Sequence, residues 1–158
     1  MNAELRELMS RARLTDELLE DGVNVALPIN ACEMDMLAYV NSTTVSCRML
    51  SVPIRVASFP SPSLQKTLEA TRATGVLIVL VWGASNGEQE RMFAFGPADF
   101  IIHKMLETFE RACAARSTKA PERALAALQN ALEPFAMSRG RWRKKIIAII
   151  DERSKPTV

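Results

Sequence analysis

The sequence contains few of the residues that build metal centres and disulfide frameworks. One residue of 158 is histidine and three are cysteine. Cys32, Cys47 and Cys113 are odd in number, lie far apart and form no CxxC pair, so neither a disulfide framework nor a zinc site is indicated. We expect them to fill the core of a protein from a reducing cytoplasm. His103 lies in an amphipathic segment, where we expect a surface or interface residue.

Signals for export or membrane insertion are also missing. The first segment, MNAELRELMSRARL, is amphipathic and contains acids, and the most apolar run, GVLIVLVWG, covers only residues 75–83. The first therefore lacks the apolar centre of a signal peptide, and the second is too short to cross a bilayer. The length favours one domain that folds without disulfides or a structural metal. We expect a cytoplasmic protein with no membrane partner.

Charge is distributed unevenly along the chain. The formal net charge is +2, but residues 139–158 hold seven Lys/Arg and two acids, a net charge of +5, which leaves −3 on the rest of the chain. A basic end on a mildly acidic body favours an anionic partner at that end. A solvated helix face is the other interpretation of the same charges.

Hydrophobic periodicity predicts alternating helices and strands. Their order is α-β-β-β-α-β-β-α, followed by a helical appendix, and the sequence has no internal repeat. The run at residues 76–82 is apolar without alternation, which is typical of a strand covered on both faces. Helices are predicted at residues 4–20, 64–74, 98–116, 121–135 and 138–153, and strands at residues 23–29, 34–40, 44–59, 76–82 and 91–95.

Four segments in this order carry a family resemblance. They are TDELLEDGVNVALPI, EMDMLAYV, VPIRVAS and SLQKTLEATRATGVLIVLVWG. Their succession resembles the restriction-endonuclease-like, PD-(D/E)xK nuclease fold of many restriction enzymes and Holliday-junction resolvases. The resemblance implies an α/β fold with a mixed β-sheet flanked by helices over residues 1–117, and a C-terminal helical extension with a basic segment over residues 118–158.

The resemblance also implies a catalytic site that is incomplete here. Such nucleases hold a divalent metal with strand carboxylates and place a lysine near the attacking water. Asp35 occupies the metal-binding position of the second strand, but Arg55 and Ala57 stand where the third strand would supply an acid or amide and the lysine. The nearest register places Arg11 at a first-helix Glu position, with Glu17 and Glu20 as substitutes. We expect Arg55 to form a salt bridge with Asp35.

Two further residues could restore catalysis. Glu33 could be a second metal ligand beside Asp35, and Lys66 could be a lysine that has migrated to the following helix. The catalytic candidates are therefore Asp35, Arg55 and Lys66, with Mg²⁺ on Asp35 and Glu33 only if the protein is active. Otherwise no cofactor is expected, Glu33 is an exposed strand-edge residue, and Lys66 belongs to a solvated helix face.

The segment SRGRWRKKIIAII is the second candidate site. On a helix its apolar stripe would contain Trp142, Ile146, Ile149 and Ile150. Basic residues could contact phosphates while Trp142 stacks on a base. Alternatively, the isoleucines dock on the body, on a second copy of the chain or on a protein partner. The candidate nucleic-acid-binding residues are Arg139, Arg141, Trp142, Arg143, Lys144 and Lys145.

These observations favour a nucleic-acid-associated pseudo-nuclease, inactive and DNA-binding or regulatory. One alternative is an active Mg²⁺-dependent DNA endonuclease or junction resolvase with a migrated lysine. Another is a protein-binding adapter or chaperone-like module. Fold-level analogy does not decide among them, because one fold serves many functions.

Overall fold

A computed structural model describes residues 3–30, 34–41, 49–59, 64, 68–69, 75–83, 90–115 and 119–154. The chain is α/β, and its strands form a mixed, open, six-stranded sheet in the order β1-β2-β3-β4-β5-β6. By their contacts the residues form two compact units, residues 1–56 with 137–158 and residues 57–136. The strands are β1 (Asn24–Ala26), β2 (Met36–Asn41), β3 (Met49–Phe59), β4 (Leu77–Trp82), β5 (Arg91–Phe95) and β6 (Ala136–Met137). The α-helices whose bounds lie within the described residues are α1 (Ala3–Glu20), α2 (Phe100–Ala114), α3 (Ala120–Leu132) and α4 (Trp142–Ser154).

The first unit contains α1, β1, β2, most of β3, and α4. Leu14 and Leu18 are fully buried on one face of α1. The helix ends at Glu20, and Gly22 in the following turn has a φ of +78°, a conformation that glycine adopts without steric cost. Strand β2 pairs antiparallel with both β1 and β3. Alternate residues of β2 are buried, so one face of this strand is covered.

The second unit has a continuous apolar core. Strand β4 is buried over its first five residues and pairs antiparallel with β5. Leu64 and Leu68, both helical, lie in the same core cluster. Ile102 and Leu106 of α2 and Leu128 and Leu132 of α3 complete it. Ala57, which the family resemblance aligns with a catalytic lysine, also belongs to this cluster and is buried.

Most predicted elements are confirmed within a few residues. Strand β1 is shorter than expected, α4 begins at Trp142 rather than Ser138, and the two-residue β6 was not predicted. The prediction for His103 was wrong, because this residue is 1% exposed and packs edge-on against Phe95. Cys113 was expected in the core but is exposed, while Cys32 and Cys47 lie outside the described residues.

The two units divide the chain differently from the expected boundary between residues 117 and 118. Helix α4 belongs to the first unit, together with residues 1–56, and α3 belongs to the second. The reason is packing. The apolar stripe of α4 is covered within its unit, with Trp142 and Ile146 fully buried and Ile150 5% exposed.

Candidate functional site

The first unit contains an open cleft of about 790 Å³. One wall is α1, which contributes Leu8, Arg11 and Leu19. The opposite wall is residues 27–30, which follow β1. Asp35 and Arg55 also line the cleft, and we call these two residues with Arg11 the arginine–aspartate centre. The sequence-predicted positions in α1, before β2 and in β3 are therefore brought together.

Asp35 lies close to both arginines of this centre. Its side chain is 7% exposed, and its Oδ1 lies 2.8 Å from Arg11 Nη2. The other oxygen, Oδ2, accepts a hydrogen bond from the Val56 backbone N–H at 2.7 Å and lies 3.7 Å from Arg55 Nε. The expected pairing of Asp35 with Arg55 is confirmed, although the Arg11 contact is shorter. Both carboxylate oxygens are thus occupied by cationic or backbone donors.

Pairing between β2 and β3 explains why these side chains meet. The last paired residues are Met36 and Ile54, so Asp35 and Arg55 lie one step further along. The Asp35 N–H donates to the Ile54 carbonyl at 2.8 Å. The next N–H group of β3 that could pair, that of Val56, donates to the Asp35 carboxylate instead of to a backbone carbonyl. The Asp35 side chain therefore ends this part of the ladder.

The alternation of buried and half-buried residues along β3 shifts by one residue at Arg55 and Val56. Val52 and Ile54 are buried, and so are Ala57 and Phe59, whereas Arg55 and Val56 are both half-buried. Strict alternation would place every second residue on one face. The two consecutive half-buried positions shift this alternation by one residue, and Arg55 is one of them. Period-two alternation in the sequence could not predict this shift.

The arginine–aspartate centre is poorly suited to a divalent cation. Magnesium requires several oxygen ligands in near-octahedral geometry, whereas Asp35 is the one carboxylate of this centre and lies beside two guanidinium groups. The described residues contain no group of three or more His, Cys, Asp or Glu side chains that could hold a metal ion. Glu33 and Lys66 lie outside the described residues, so their proposed roles stay predictions.

The mouth of the cleft is aliphatic. Leu8, Leu19, Leu27 and Ile29 are 62%, 54%, 66% and 100% exposed. Large apolar side chains gathered around one cleft are a common feature of interaction sites. No aromatic side chain occurs among the described residues that line it. The cleft therefore combines a charged centre with an aliphatic rim.

The second candidate site, at the start of α4, is tied to the end of α1. Trp142 Nε1 donates to Glu17 Oε2 at 2.8 Å, and Arg13 Nε donates to the other oxygen at 3.3 Å. Trp142 is 0% exposed, so the expectation that it stacks on a base is wrong. A buried tryptophan needs a partner for its N–H, and Glu17 serves that need rather than binding a metal.

Asp21 caps α4 from outside the helix. Its two carboxylate oxygens accept hydrogen bonds from the backbone N–H groups of Gly140 at 2.7 Å and Trp142 at 2.9 Å. Gly140 has a φ of +89°, which favours glycine in the turn before the helix. An acid at a helix N-terminus satisfies free N–H groups and complements the helix dipole. No local sequence pattern indicates this cap, because Asp21 is 121 residues away from Trp142.

Two basic residues before and within α4 also contact α1 and the turn after it. Arg139 lies 3.0 Å from Glu20 and 3.5 Å from Asp16, and Arg143 donates to the Gly22 carbonyl at 3.4 Å. Arg141, Arg143 and Lys144 are exposed, whereas Lys145 is half-buried. Exposed ion pairs contribute little, so these contacts could exchange for phosphate. Nucleic-acid binding by this basic cluster stays a prediction.

Within the described residues, no helix combines the length and the apolar character needed to cross a membrane. Family models, curated proteins and solved structures were each compared with the chain, and none of them matches it.

Proposed function

We propose that this protein is a nucleic-acid-associated pseudo-nuclease, whose nuclease-like site binds but does not cleave. The observation that carries the proposal is that both oxygens of Asp35 already have partners within the protein. Its oxygens are held by Arg11 at 2.8 Å and by Val56 N–H at 2.7 Å. A nuclease of the PD-(D/E)xK type needs this carboxylate for Mg²⁺, and two nearby guanidinium groups oppose cation binding.

The chemistry of the neighbouring positions supports the same conclusion. Water attacks a phosphodiester efficiently when a metal or a base activates it and a cation stabilises the charge on phosphate. Arg11 and Arg55 could stabilise negative charge, but neither is a base, since guanidinium stays protonated. Ala57 is apolar and buried. An anion could therefore bind at this centre without being hydrolysed.

Basic residues near the chain's end support the nucleic-acid part of the proposal. Residues 139–158 carry a net charge of +5, and Arg141, Arg143 and Lys144 are exposed. Each phosphate contact would release condensed counterions. The logarithm of the binding constant should therefore fall by roughly 0.7 to 0.9 per contact for each tenfold increase in salt concentration.

Two assays test the proposal. In the first, purified protein is incubated with linear, supercoiled and branched DNA in Mg²⁺ or Mn²⁺, and we expect no cleavage. Nicking that requires the metal and disappears in Asp35→Ala would refute the loss of catalysis. Loss of such nicking in Lys66→Ala would then identify a migrated lysine and favour the active-endonuclease alternative.

The second assay titrates labelled duplex and single strands at two salt concentrations. A triple variant with Arg141, Lys144 and Lys145 changed to Glu should lower the salt slope by roughly 2 to 3 and abolish most binding. Its matched control reverses three exposed charges of the second unit. Unchanged binding by the first variant, or equal losses in both, would refute the assignment to α4. The control positions are Lys104, Arg111 and Arg123, all exposed.

A further inference from the structure

We infer that the acidic end of α1 competes with phosphate for Arg139 and so limits nucleic-acid binding at the start of α4. The inference rests on the proposed function, because it takes the basic residues at 139–145 as the place where nucleic acid binds. It deepens that function by naming a contact that regulates the same site. The two partners of this contact belong to one compact unit.

The end of α1 and the turn after it form a short acidic segment. Residues 16–21 read DELLED, with four acids and no basic residue, and we call them the acidic segment. All four of its carboxylates contact residues 139–142. Positive charge near the end of the sequence is therefore partly offset in the fold, a cancellation that the net charge of residues 139–158 does not reveal.

Two of the four acids have structural roles. Glu17 accepts a hydrogen bond from the indole N–H of the buried Trp142 at 2.8 Å. Asp21 accepts hydrogen bonds from the backbone N–H groups of Gly140 and Trp142 at 2.7 and 2.9 Å. A buried donor that loses its acceptor is costly, so we expect Glu17 and Asp21 to stay in place when a ligand binds.

The other two acids share one exposed arginine. Arg139 Nη1 lies 3.0 Å from Glu20 Oε2, and its Nη2 lies 3.5 Å from Asp16 Oδ2. The three side chains are 46% to 63% exposed, and ion pairs of this kind contribute little to stability. The contact can therefore break at low cost, and its effect on an approaching anion matters more than its effect on the fold.

That effect is competition for the same atoms. Arginine binds phosphate best through two parallel hydrogen bonds, and both Nη atoms of Arg139 already face a carboxylate. These three groups carry a net charge of −1, one positive against two negative, and a phosphate within the Debye length of about 8 Å is repelled by the excess. When phosphate displaces the carboxylates, they attract cations in turn, and this uptake offsets part of the counterion release that favours binding.

The test neutralises the two competing acids together. Asp16→Asn with Glu20→Gln keeps the side-chain sizes and leaves Glu17 and Asp21 intact. We expect this double variant to bind a labelled duplex roughly three- to tenfold more tightly than the parent at low salt, because an exposed ion pair changes an equilibrium constant by up to about fivefold. Fluorescence anisotropy at two salt concentrations should also show a steeper salt dependence, by up to about 0.7 to 0.9, the value of one phosphate contact.

A thermodynamic cycle assigns the gain to Arg139. Arg139→Gln should weaken binding by the parent less than about twofold, because that arginine is already paired, but should remove most of the gain of the double variant. The matched control is Asp151→Asn with Glu152→Gln, which makes the same change in net charge at exposed positions near the other end of α4. It should stay within about twofold of the parent.

Three results would overturn the inference: no gain in the double variant, an equal gain in the Asp151 and Glu152 control, or a gain that survives Arg139→Gln. Far-UV circular dichroism checks that each variant is folded, and Glu20→Gln alone should give part of the gain if the double variant is unstable. Binding by the parent without any gain refutes the inference alone. If neither parent nor double variant binds duplex or single strand at low salt, the proposed function fails and the inference fails with it.

Discussion

Replacing Asp35 by alanine should destabilise the protein, although an active nuclease would respond in the opposite direction. The change leaves the Val56 N–H, now 2.7 Å from Oδ2, without its acceptor. An unpaired donor of this kind costs about 1 to 3 kcal/mol. Loss of the Arg11 contact adds at most about 1 kcal/mol, because the guanidinium is 41% exposed and would be rehydrated. The total is about 2 kcal/mol.

Thermal unfolding followed by far-UV circular dichroism measures this loss. For a chain of this length, a change of about 2 kcal/mol lowers Tm by roughly 4 to 8 °C. Asp35→Asn keeps one acceptor oxygen, so it should lose about half as much. The matched control is Asp16→Ala, whose exposed ion pair with Arg139 should contribute less than about 1 kcal/mol.

The response of Tm to a divalent metal could contradict this interpretation of Asp35. Carboxylates gathered for a metal repel one another when the metal is absent, so removing one would stabilise the metal-free protein. A higher Tm for Asp35→Asn in a chelator would refute the interpretation of Asp35 as a structural, ion-paired carboxylate. So would a Tm of the parent that rises with Mg²⁺ and no longer does so in the variant.

Two further substitutions test the Trp142–Glu17 hydrogen bond and the Arg91–Glu133 ion pair. Trp142→Phe removes the N–H group that donates to Glu17 at 2.8 Å, so the free energy of unfolding measured in urea should fall by about 2 to 4 kcal/mol. Glu17→Gln keeps an acceptor and should lose less. Equal losses in the two variants would contradict the hydrogen-bond argument. Arg91 donates two hydrogen bonds to Glu133, which lower the pKa of that carboxyl. The resulting stabilisation is present above the ordinary pKa of glutamate and is lost as pH falls through the lowered value. Glu133→Gln should therefore reduce the fall in Tm on acidification below about pH 4.5. An unchanged dependence of Tm on pH in this range would contradict the pairing.

Local patterns in the sequence determined the secondary structure. The helical spacing of leucines predicted α1, the unbroken apolar run predicted β4, and RMFAF predicted β5. Each of these signals comes from residues that are neighbours in the chain, because side-chain periodicity within a helix or strand reports which face is buried. The partnership of Asp35 with Arg55 was predicted from the family resemblance, which places the two residues on neighbouring strands.

Tertiary packing alone decided which groups complete the site. Arg11 became the nearest partner of Asp35 because α1 packs within the same unit, and no periodicity in residues 3–20 specifies that contact. Trp142 was predicted to stack on bases but is buried against Glu17, 125 residues away. Asp21 caps α4 across a similar separation. Such contacts depend on how preformed elements bury their apolar faces together, and that choice is made by the whole fold rather than by any one segment.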